Sequence, residues 1–165
     1  MPELNRILLV EDSKEDVELT LAALGELHLA NEVLVARDGA EALDYLCRRG
    51  KYAQRGPELP AVLLLDLKMP RVDGLEVLRQ MKDDPSLRRI PVVMLTSSRE
   101  EQDLVRSYDL GVSAYVVKPV DFQAFVRTVK ELGLFWAVIN EPPPGCLQTS
   151  RTGLPPGSPG AASGV

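Results

Sequence analysis

Five short apolar runs recur along the chain, separated by longer segments of mixed polarity. Each run has the length and composition of a buried β-strand. The third run ends abruptly in a carboxylate, Asp66, and a turn at Pro70 follows, so Asp66 is predicted to lie where that strand leaves the sheet. The five predicted strands are RILLV (6–10), EVLVA (32–36), AVLLL (61–65), IPVVMLT (90–96) and AYVV (114–117).

The segments between these runs have the spacing of amphipathic helices. Ser13 precedes Asp16 by three residues, and Asp38 precedes Glu41 by three, which is the spacing of helix N-caps. The predicted helices begin at Ser13 and at Asp38, cover 75–81, cover 99–110 with Gly111 as the stop, and run from Asp121 onward.

Strict alternation of strands and helices indicates an α/β fold with one parallel sheet and helices on both faces. A doubly wound, five-stranded sheet with the order 2-1-3-4-5 is the compact way to arrange such units. Functional sites in these sheets form at the carboxyl ends of the strands, where the direction of winding reverses. Here that point falls between the first and third strands.

Polar side chains follow four of the predicted strands at this edge: Glu11 and Asp12, Asp66, Thr96 and Ser97, and Lys118. Three carboxylates would meet at the reversal point, and they would repel one another unless a cation neutralised them. Taken singly, each residue has an ordinary alternative role in a turn, a helix cap, a solvated loop or a strand. Their coincidence at one edge favours a functional site.

Carboxylate oxygens with room for water suit Mg²⁺. A carboxylate can itself attack phosphorus and form an aspartyl phosphate, with a metal offsetting the charge. Lys118 and Thr96 would supply the fixed ammonium and the hydroxyl that phosphoryl transfer requires. No nucleophilic Ser or Cys pairs with a His, which excludes hydrolase triads, and the single His28 is interpreted as a surface helix residue.

The composition is that of a globular domain and argues against several classes of partner. The chain has 165 residues, 45% of them hydrophobic and 26% charged, and a net charge of −5, which gives little support for nucleic-acid binding. No stretch is apolar enough to span a bilayer, and the N-terminus does not resemble a signal peptide. Cys47 and Cys146 form no metal or redox motif. We therefore expect a soluble, cytoplasmic protein without DNA or membrane partners.

The composition changes near residue 141. Residues 141–165 hold six of the thirteen prolines and five of the twelve glycines. Such a segment cannot bury enough apolar surface to offset the entropy lost on ordering. A folded domain over 1–140 and a flexible tail over 141–165 are therefore expected.

Four motifs together resemble the receiver domain of two-component response regulators: LLVEDS (8–13), LLLDLKMPRVDG (63–74), VVMLTSS (92–98) and AYVVKPV (114–120). The resemblance implies the flavodoxin-like (βα)5 receiver fold. It also implies a phosphorelay protein that accepts a phosphoryl group from a sensor histidine kinase and then switches a protein-interaction surface. Intrinsic self-phosphorylation and dephosphorylation would be its only chemistry, so it would not be an enzyme.

The same resemblance assigns roles around the acids. Asp66 would be the phospho-acceptor. Asp12 would ligate Mg²⁺ directly, Glu11 would help through water, and the Lys68 backbone carbonyl would be a further ligand. The side chains of Lys68 and Ser98 occupy positions that tune how fast water removes the phosphoryl group.

The remaining assignments concern the response to phosphorylation. Thr96 and Lys118 would each take a phosphoryl oxygen, and Tyr115 would turn inward as Thr96 moves. The alternative for Tyr115 is a half-exposed strand aromatic, which is also its expected resting state. The Lys118–Pro119 peptide bond is expected to be cis.

Two segments resemble a narrower group. The connection over 47–60 is longer than in the usual receiver, and it resembles that of single-domain regulators paired with bacterial phytochrome histidine kinases. The segment over 133–144 resembles theirs too. A tolerated surface loop is the alternative for 47–60. By this resemblance a bacteriophytochrome is the expected kinase.

The last predicted helix carries apolar residues on more than one side: Leu132, Leu134, Phe135, Trp136, Val138 and Ile139. One sheet cannot cover all of them, and a leftover apolar patch suggests a partner surface. A homodimer through the last helix and the 99–120 region is expected, with a longer helix wrapping its own core as the alternative. No output domain is recognised after the receiver, so the output is expected to be protein contacts.

Two other function classes have specific objections. Phosphatases with an aspartyl nucleophile resemble D-x-D, but Lys68 occupies the second acidic position. A flavin carrier would need a Ser/Thr/Gly-rich phosphate loop after the first strand, where VEDSKED would repel a phosphate. Within the switch interpretation, an adaptor and a phosphate sink that drains the kinase both stay open.

Overall fold

A computed structural model describes residues 7–26, 33–134 and 138. The strands β1 to β5 form one parallel sheet with the order β2-β1-β3-β4-β5. The predicted fold class and strand order are thereby confirmed. The strands are β1 (Ile7–Val10), β2 (Val33–Ala36), β3 (Val62–Asp66), β4 (Val92–Thr96) and β5 (Ala114–Val117), and the helices are α1 (Lys14–Gly25), α2 (Gly39–Cys47), α3 (Gly74–Asp83), α4 (Arg99–Ser107) and α5 (Phe122–Glu131).

The three central strands are buried on both faces, which explains their continuous apolar runs. Successive side chains point to opposite faces of the sheet. Leu8, Leu65 and Met94 therefore pack with α2, α3 and α4. Leu9 and Leu64 pack on the other face, with α1 and α5.

Each of these five helices begins at a side-chain cap. The caps are Ser13, Asp38, Asp73, Ser98 and Asp121, and each accepts the backbone N–H of the residue three positions later. Such caps satisfy N–H groups that a helix leaves without partners. All five caps lie in connections that follow the carboxyl ends of strands, so the helix N-termini lie on the carboxyl side of the sheet.

Two details of the prediction were wrong. α4 ends at Ser107, not at residue 110, because Asp109 adopts a left-handed φ of 49°. β4 begins at Val92, not at residue 90, and Pro91 before it has no N–H for the sheet. On α5, Phe125 is buried, whereas Phe122 and Val126 are half-buried.

Several expectations lie outside the described residues. They concern His28, residue 32 of the second strand, Phe135, Trp136, Ile139, Cys146 and the segment 141–165. Within the described ranges, no helix has both the length and the apolar character needed to cross a membrane.

The long 47–60 connection is anchored to α2 at several points. It contains a short 3-10 turn, Gly50–Tyr52. The Arg55 guanidinium donates to the carbonyls of Tyr45 and Leu46 and lies 4.4 Å from the centre of the Tyr45 ring. The Tyr52 hydroxyl donates to Glu41 at the other end of α2. This connection is therefore packed, with its backbone and side chains tied to the helix.

The β3–α3 loop is held against the start of α2. The Arg71 guanidinium pairs with the largely buried carboxylate of Asp38. Gly39 lies so close to this loop that an added Cβ would overlap the Val72 carbonyl oxygen and lie 2.9 Å from its carbon. A side chain at residue 39 would push against backbone that cannot rotate away.

We expect Gly39→Ala to destabilise the protein by about 1–3 kcal/mol through overpacking against the β3–α3 loop. Gly25→Ala is the matched control, because no atom lies within 4 Å of the position that its new methyl group would occupy and Ala has the higher helix propensity. Urea unfolding of both variants measures the difference. Equal stability of the two variants would contradict the close approach at residue 39.

Candidate functional site

Strand register brings the predicted site residues together. Val10 pairs with Leu65, so Glu11 and Asp66 are neighbours one step further along their strands. Thr96 pairs with Val117, and Lys118 follows immediately, with its N–H donated to the Thr96 carbonyl. Because these strands are parallel, their carboxyl ends place all of these residues at one edge of the sheet.

Three carboxylates meet at this edge as predicted. Each of Glu11, Asp12 and Asp66 offers an oxygen, and these oxygens lie within 4.8 Å of one another. Glu11 and Asp66 are buried, whereas Asp12 is exposed. The set fits a small divalent cation, because hard oxygen ligands with one side open to water are what Mg²⁺ requires.

The Lys118 ammonium lies among these acids. Its Nζ is 3.1 Å from Asp66 Oδ1, 3.3 Å from Glu11 Oε2 and 3.0 Å from Asp16 Oδ2. The side chain is only 15% exposed, so these pairs are largely shielded from water. Lys118 therefore does not extend into solvent.

Burial shifts the pKa values of the acids in this cluster. Burial, together with the charge of Asp66, raises the pKa of Glu11 to about 7, although the Ser13 N–H and Lys118 oppose the shift. Burial also raises the pKa of Asp66, against the attraction of Lys118. Burial alone would lower the pKa of Lys118, but Asp16, Asp66 and Glu11 together raise it. The acids hold the lysine charged, and one lysine is not enough to neutralise the acids.

Thr96 is fully buried, and its hydroxyl has no hydrogen-bond partner among the described residues. A buried hydroxyl without a partner costs about 1–3 kcal/mol. Such a group is unusual in a well-packed sheet unless it serves another purpose. Thr96 therefore offers a free hydroxyl at the same edge as Asp66 and Lys118.

The Lys68 side chain crosses from the β3–α3 loop to α4. Its Nζ lies 3.0 Å from Glu101 Oε1. The other carboxylate oxygen of Glu101 accepts the Ser97 N–H, at 2.7 Å. The backbone N–H of Glu101 is donated to Ser98 Oγ. Both predicted roles of Lys68, the backbone carbonyl as a metal ligand and the position that tunes loss of the phosphoryl group, stay predictions.

Tyr115 is half-buried and packs against the cluster that includes α4. The Arg106 guanidinium lies 4.9 Å from the centre of its ring. This is the expected resting arrangement of a partly exposed strand aromatic. The Lys118–Pro119 peptide bond is cis, as expected.

Sequence reasoning missed two contributors to the site. The spacing of Asp16 indicates only a cap, yet its side chain binds Lys118. Glu101, three residues after the Ser98 cap, has no predicted role at all. The cap spacing was the available signal, because an acid at the third helical position lies at the same edge as the strand ends.

Solved bacterial regulators are similar to this chain. It is 64% identical to the bacteriophytochrome response regulator RtBRR, with a TM-score of 0.76 and 84% of each chain covered. It is 65% identical to the bacteriophytochrome response regulator AtBRR, with a TM-score of 0.77, covering 85% of this chain and 100% of that one.

A curated relative is the response regulator Rcp1 of Synechocystis sp., which is 41% identical over 130 residues, or 79% of this chain and 87% of the relative. A solved Mn²⁺-bound form of response regulator Rcp1 is 40% identical, with a TM-score of 0.62, covering 79% of this chain and 93% of that one.

The family model of the response regulator receiver domain matches residues 7–130, from the first residue of β1 to within one residue of the end of α5. The matched range includes the acidic cluster, Thr96 and Lys118. The chain belongs to the response regulator receiver domain family, and it is a phosphorelay response regulator.

Proposed function

We propose that Asp66 accepts the phosphoryl group in this protein. The observation that carries the proposal is the buried carboxylate of Asp66, 3.1 Å from the Lys118 ammonium and in the same cluster as Glu11 and Asp12. An Asp66 oxygen would attack phosphorus in line, and the donor histidine nitrogen would leave with the bonding electron pair. The protein would be a phospho-acceptor that catalyses only its own modification.

The neighbouring residues have distinct parts in this step. Lys118 would pair with a phosphoryl oxygen and offset its charge. The free hydroxyl of Thr96 would donate to another oxygen, which would satisfy that hydroxyl for the first time. Bound Mg²⁺ would supply neutralisation of the acids and orientation of the phosphoryl oxygens. Asp12, Asp66 and the Lys68 carbonyl would hold it, with Glu11 acting through water.

The switch would pass from Thr96 to Tyr115. Both lie on the α4 side of the sheet by the alternation of side chains, and Tyr115 already packs in that core. Movement of Thr96 toward the phosphoryl group would leave room for the Tyr115 ring. The outward surface of β4, α4 and β5 would then differ between the two states.

The proposed donor is a sensor histidine kinase of the bacterial phytochrome class. The support is the 64% and 65% identity to regulators named for bacteriophytochromes. We also propose that the receiver unit covers 1–140, that 141–165 is a separate segment, and that the protein is cytoplasmic. Adaptor and phosphate-sink roles share the phosphorylation step and differ only in the later fate of the phosphorylated protein.

The proposed acceptor can be tested directly. Wild-type protein is expected to take up label from acetyl phosphate, and from a phytochrome kinase with radiolabelled ATP, only when Mg²⁺ is present. Asp66→Asn is expected to take up none, because the amide is not a nucleophile. Asp83→Asn is the matched control, since Asp83 is an exposed acid away from the cluster. Label that persists on Asp66→Asn would dismiss Asp66 as the acceptor.

The raised pKa of Glu11 predicts how metal-free stability depends on pH. Because this pKa is about 7 in the folded protein and 4.5 ordinarily, folding favours the protonated acid. That stabilisation is complete below pH 4.5 and is lost as the pH rises through 7. Glu11→Gln removes the dependence, so its stability relative to wild type should rise by about 2 to 3 kcal/mol between pH 5 and pH 8.

Urea unfolding with a chelator at both pH values measures this change, and Glu18→Gln on the exposed side of α1 controls for charge. Added Mg²⁺ should stabilise wild type and have less effect on Glu11→Gln. A constant difference between Glu11→Gln and wild type across this pH range would contradict the burial of an ionised Glu11.

We further propose a homodimer through α5 and the 99–120 region. Of the five large hydrophobic side chains exposed in the described ranges, three lie within 99–120: Leu104, Tyr108 and Val117. β5 is an edge strand of the sheet, and an exposed apolar edge favours association. The groove between α4 and α5, of about 540 Å³, lies on this same face.

Val117→Glu is expected to convert the dimer to a monomer, because it places a charge among the exposed apolar side chains of this surface. Leu19→Glu is the matched control: Leu19 is 46% exposed on α1, against 50% for Val117. Multi-angle light scattering over a range of concentrations gives the mass. A wild-type monomer, or a dimer that survives Val117→Glu, would rule out this interface.

A further inference from the structure

Asp16 is the one partner of Lys118 that stands apart from the acidic cluster. The ammonium has three hydrogens; it donates hydrogen bonds to Glu11 and Asp16, and it forms an ion pair with Asp66 at 3.1 Å. The contact with Asp16 is the shortest, at 3.0 Å. Asp16 lies in the first turn of α1, and its oxygens are not part of the compact set formed by the other acids.

The start of α1 leaves the Asp16 carboxylate available for this contact. An acid at the third helical position commonly folds back to accept the N–H of the cap residue. Here the Ser13 N–H is donated to Glu11 Oε1 instead, at 3.1 Å. The Asp16 N–H is donated to Ser13 Oγ, which fixes the backbone of Asp16. The cap thereby positions the carboxylate and leaves its oxygens for the lysine.

The other two partners of Lys118 have a second task under the proposed function. Glu11 and Asp66 would turn oxygens toward a divalent cation and, for Asp66, toward phosphorus. Each such change removes an acceptor from the ammonium. Asp16 remains an acceptor for Lys118, because its position is fixed by α1 rather than by the strand ends.

We propose that Asp16 is a positioning residue that anchors the Lys118 ammonium at the α1 side of the crevice. The anchor keeps the ammonium beside Asp66 when Glu11 and Asp66 turn to a bound cation. Asp16 acts through Lys118 and touches neither the cation nor phosphorus. This inference rests on the proposed function, since it assigns Asp16 a part in phosphorylation at Asp66.

The first test observes the ammonium itself and needs no phosphorylation. In ¹⁵N-labelled protein, the Lys118 Nζ signal is identified by its loss in Lys118→Arg. We expect wild type to keep this signal with and without Mg²⁺, because Asp16 holds the ammonium in both conditions. Asp16→Asn should lose it to rapid exchange with water when Mg²⁺ is added. Glu15→Gln removes an equal charge from the same helical turn and should behave as wild type.

The second test measures phosphorylation by acetyl phosphate at saturating Mg²⁺. Asp16→Asn is expected to react about tenfold more slowly, which is the smaller end of the loss found for residues that orient a metal site from outside. Saturation removes any contribution from weaker metal binding. Asp16→Glu restores the charge and should recover most of the rate, whereas Glu15→Gln should react normally.

The outcomes separate the two proposals. If wild type is never phosphorylated, the proposed function fails, while the Lys118 signal still reports whether Asp16 anchors the ammonium. If wild type is phosphorylated and Asp16→Asn matches Glu15→Gln in signal or in rate, the role of Asp16 is overturned and the acceptor role of Asp66 stands. Unfolding curves of each variant show whether a slow rate reflects loss of the fold.

Discussion

The site depends on one physical constraint: several carboxylates share a single ammonium in a place that water barely reaches. Lys118 lies within 3.3 Å of three acids and is the only cation among them in the described residues. Burial raises the pKa of both Glu11 and Asp66, so the cluster is under-neutralised. A divalent cation would relieve this repulsion, and so would protonation. The same excess of negative charge that destabilises the cluster would therefore favour binding of a metal.

The sheet holds these charged residues together through the packing of its strands. Apolar strands that are buried on both faces fix the register, and the register sets which residues meet at the carboxyl edge. The surrounding loops are held by local contacts, including Arg71 with Asp38 and Lys68 with Glu101. The acids are consequently held close together by the packing of residues that take no part in the chemistry. A rigid frame of this kind can keep like charges near each other.

Much of the fold and of the site could be predicted from the sequence, because the patterns that indicate them lie within short segments of the chain. Apolar runs located the strands, cap spacing located the starts of α1 and α2, and the residues after the strands located Asp66 and Lys118. The end of α4 could not be predicted, because the left-handed φ of Asp109 interrupts the helical backbone. Nothing in the local sequence indicated that angle at Asp109. The contacts of Asp16 and Glu101 were also out of reach. Asp16 contacts Lys118 and Glu101 contacts Lys68, which are distant in the chain. Both acids also lie three residues after a helix cap, and that position already accounted for their presence.

Asp16 shows why a residue that fits one local pattern can still have another task. Half of the expected cap is formed, with the Asp16 N–H donated to Ser13, but the other half is replaced by Glu11. Glu11 Oε1 thereby accepts the Ser13 N–H, while Oε2 accepts from Lys118. The first helical turn and the strand end thus constrain each other, and both constrain the lysine. Because a change at any of these positions would shift the balance of charge around Asp66, the beginning of α1 belongs to the site as much as the ends of the strands do.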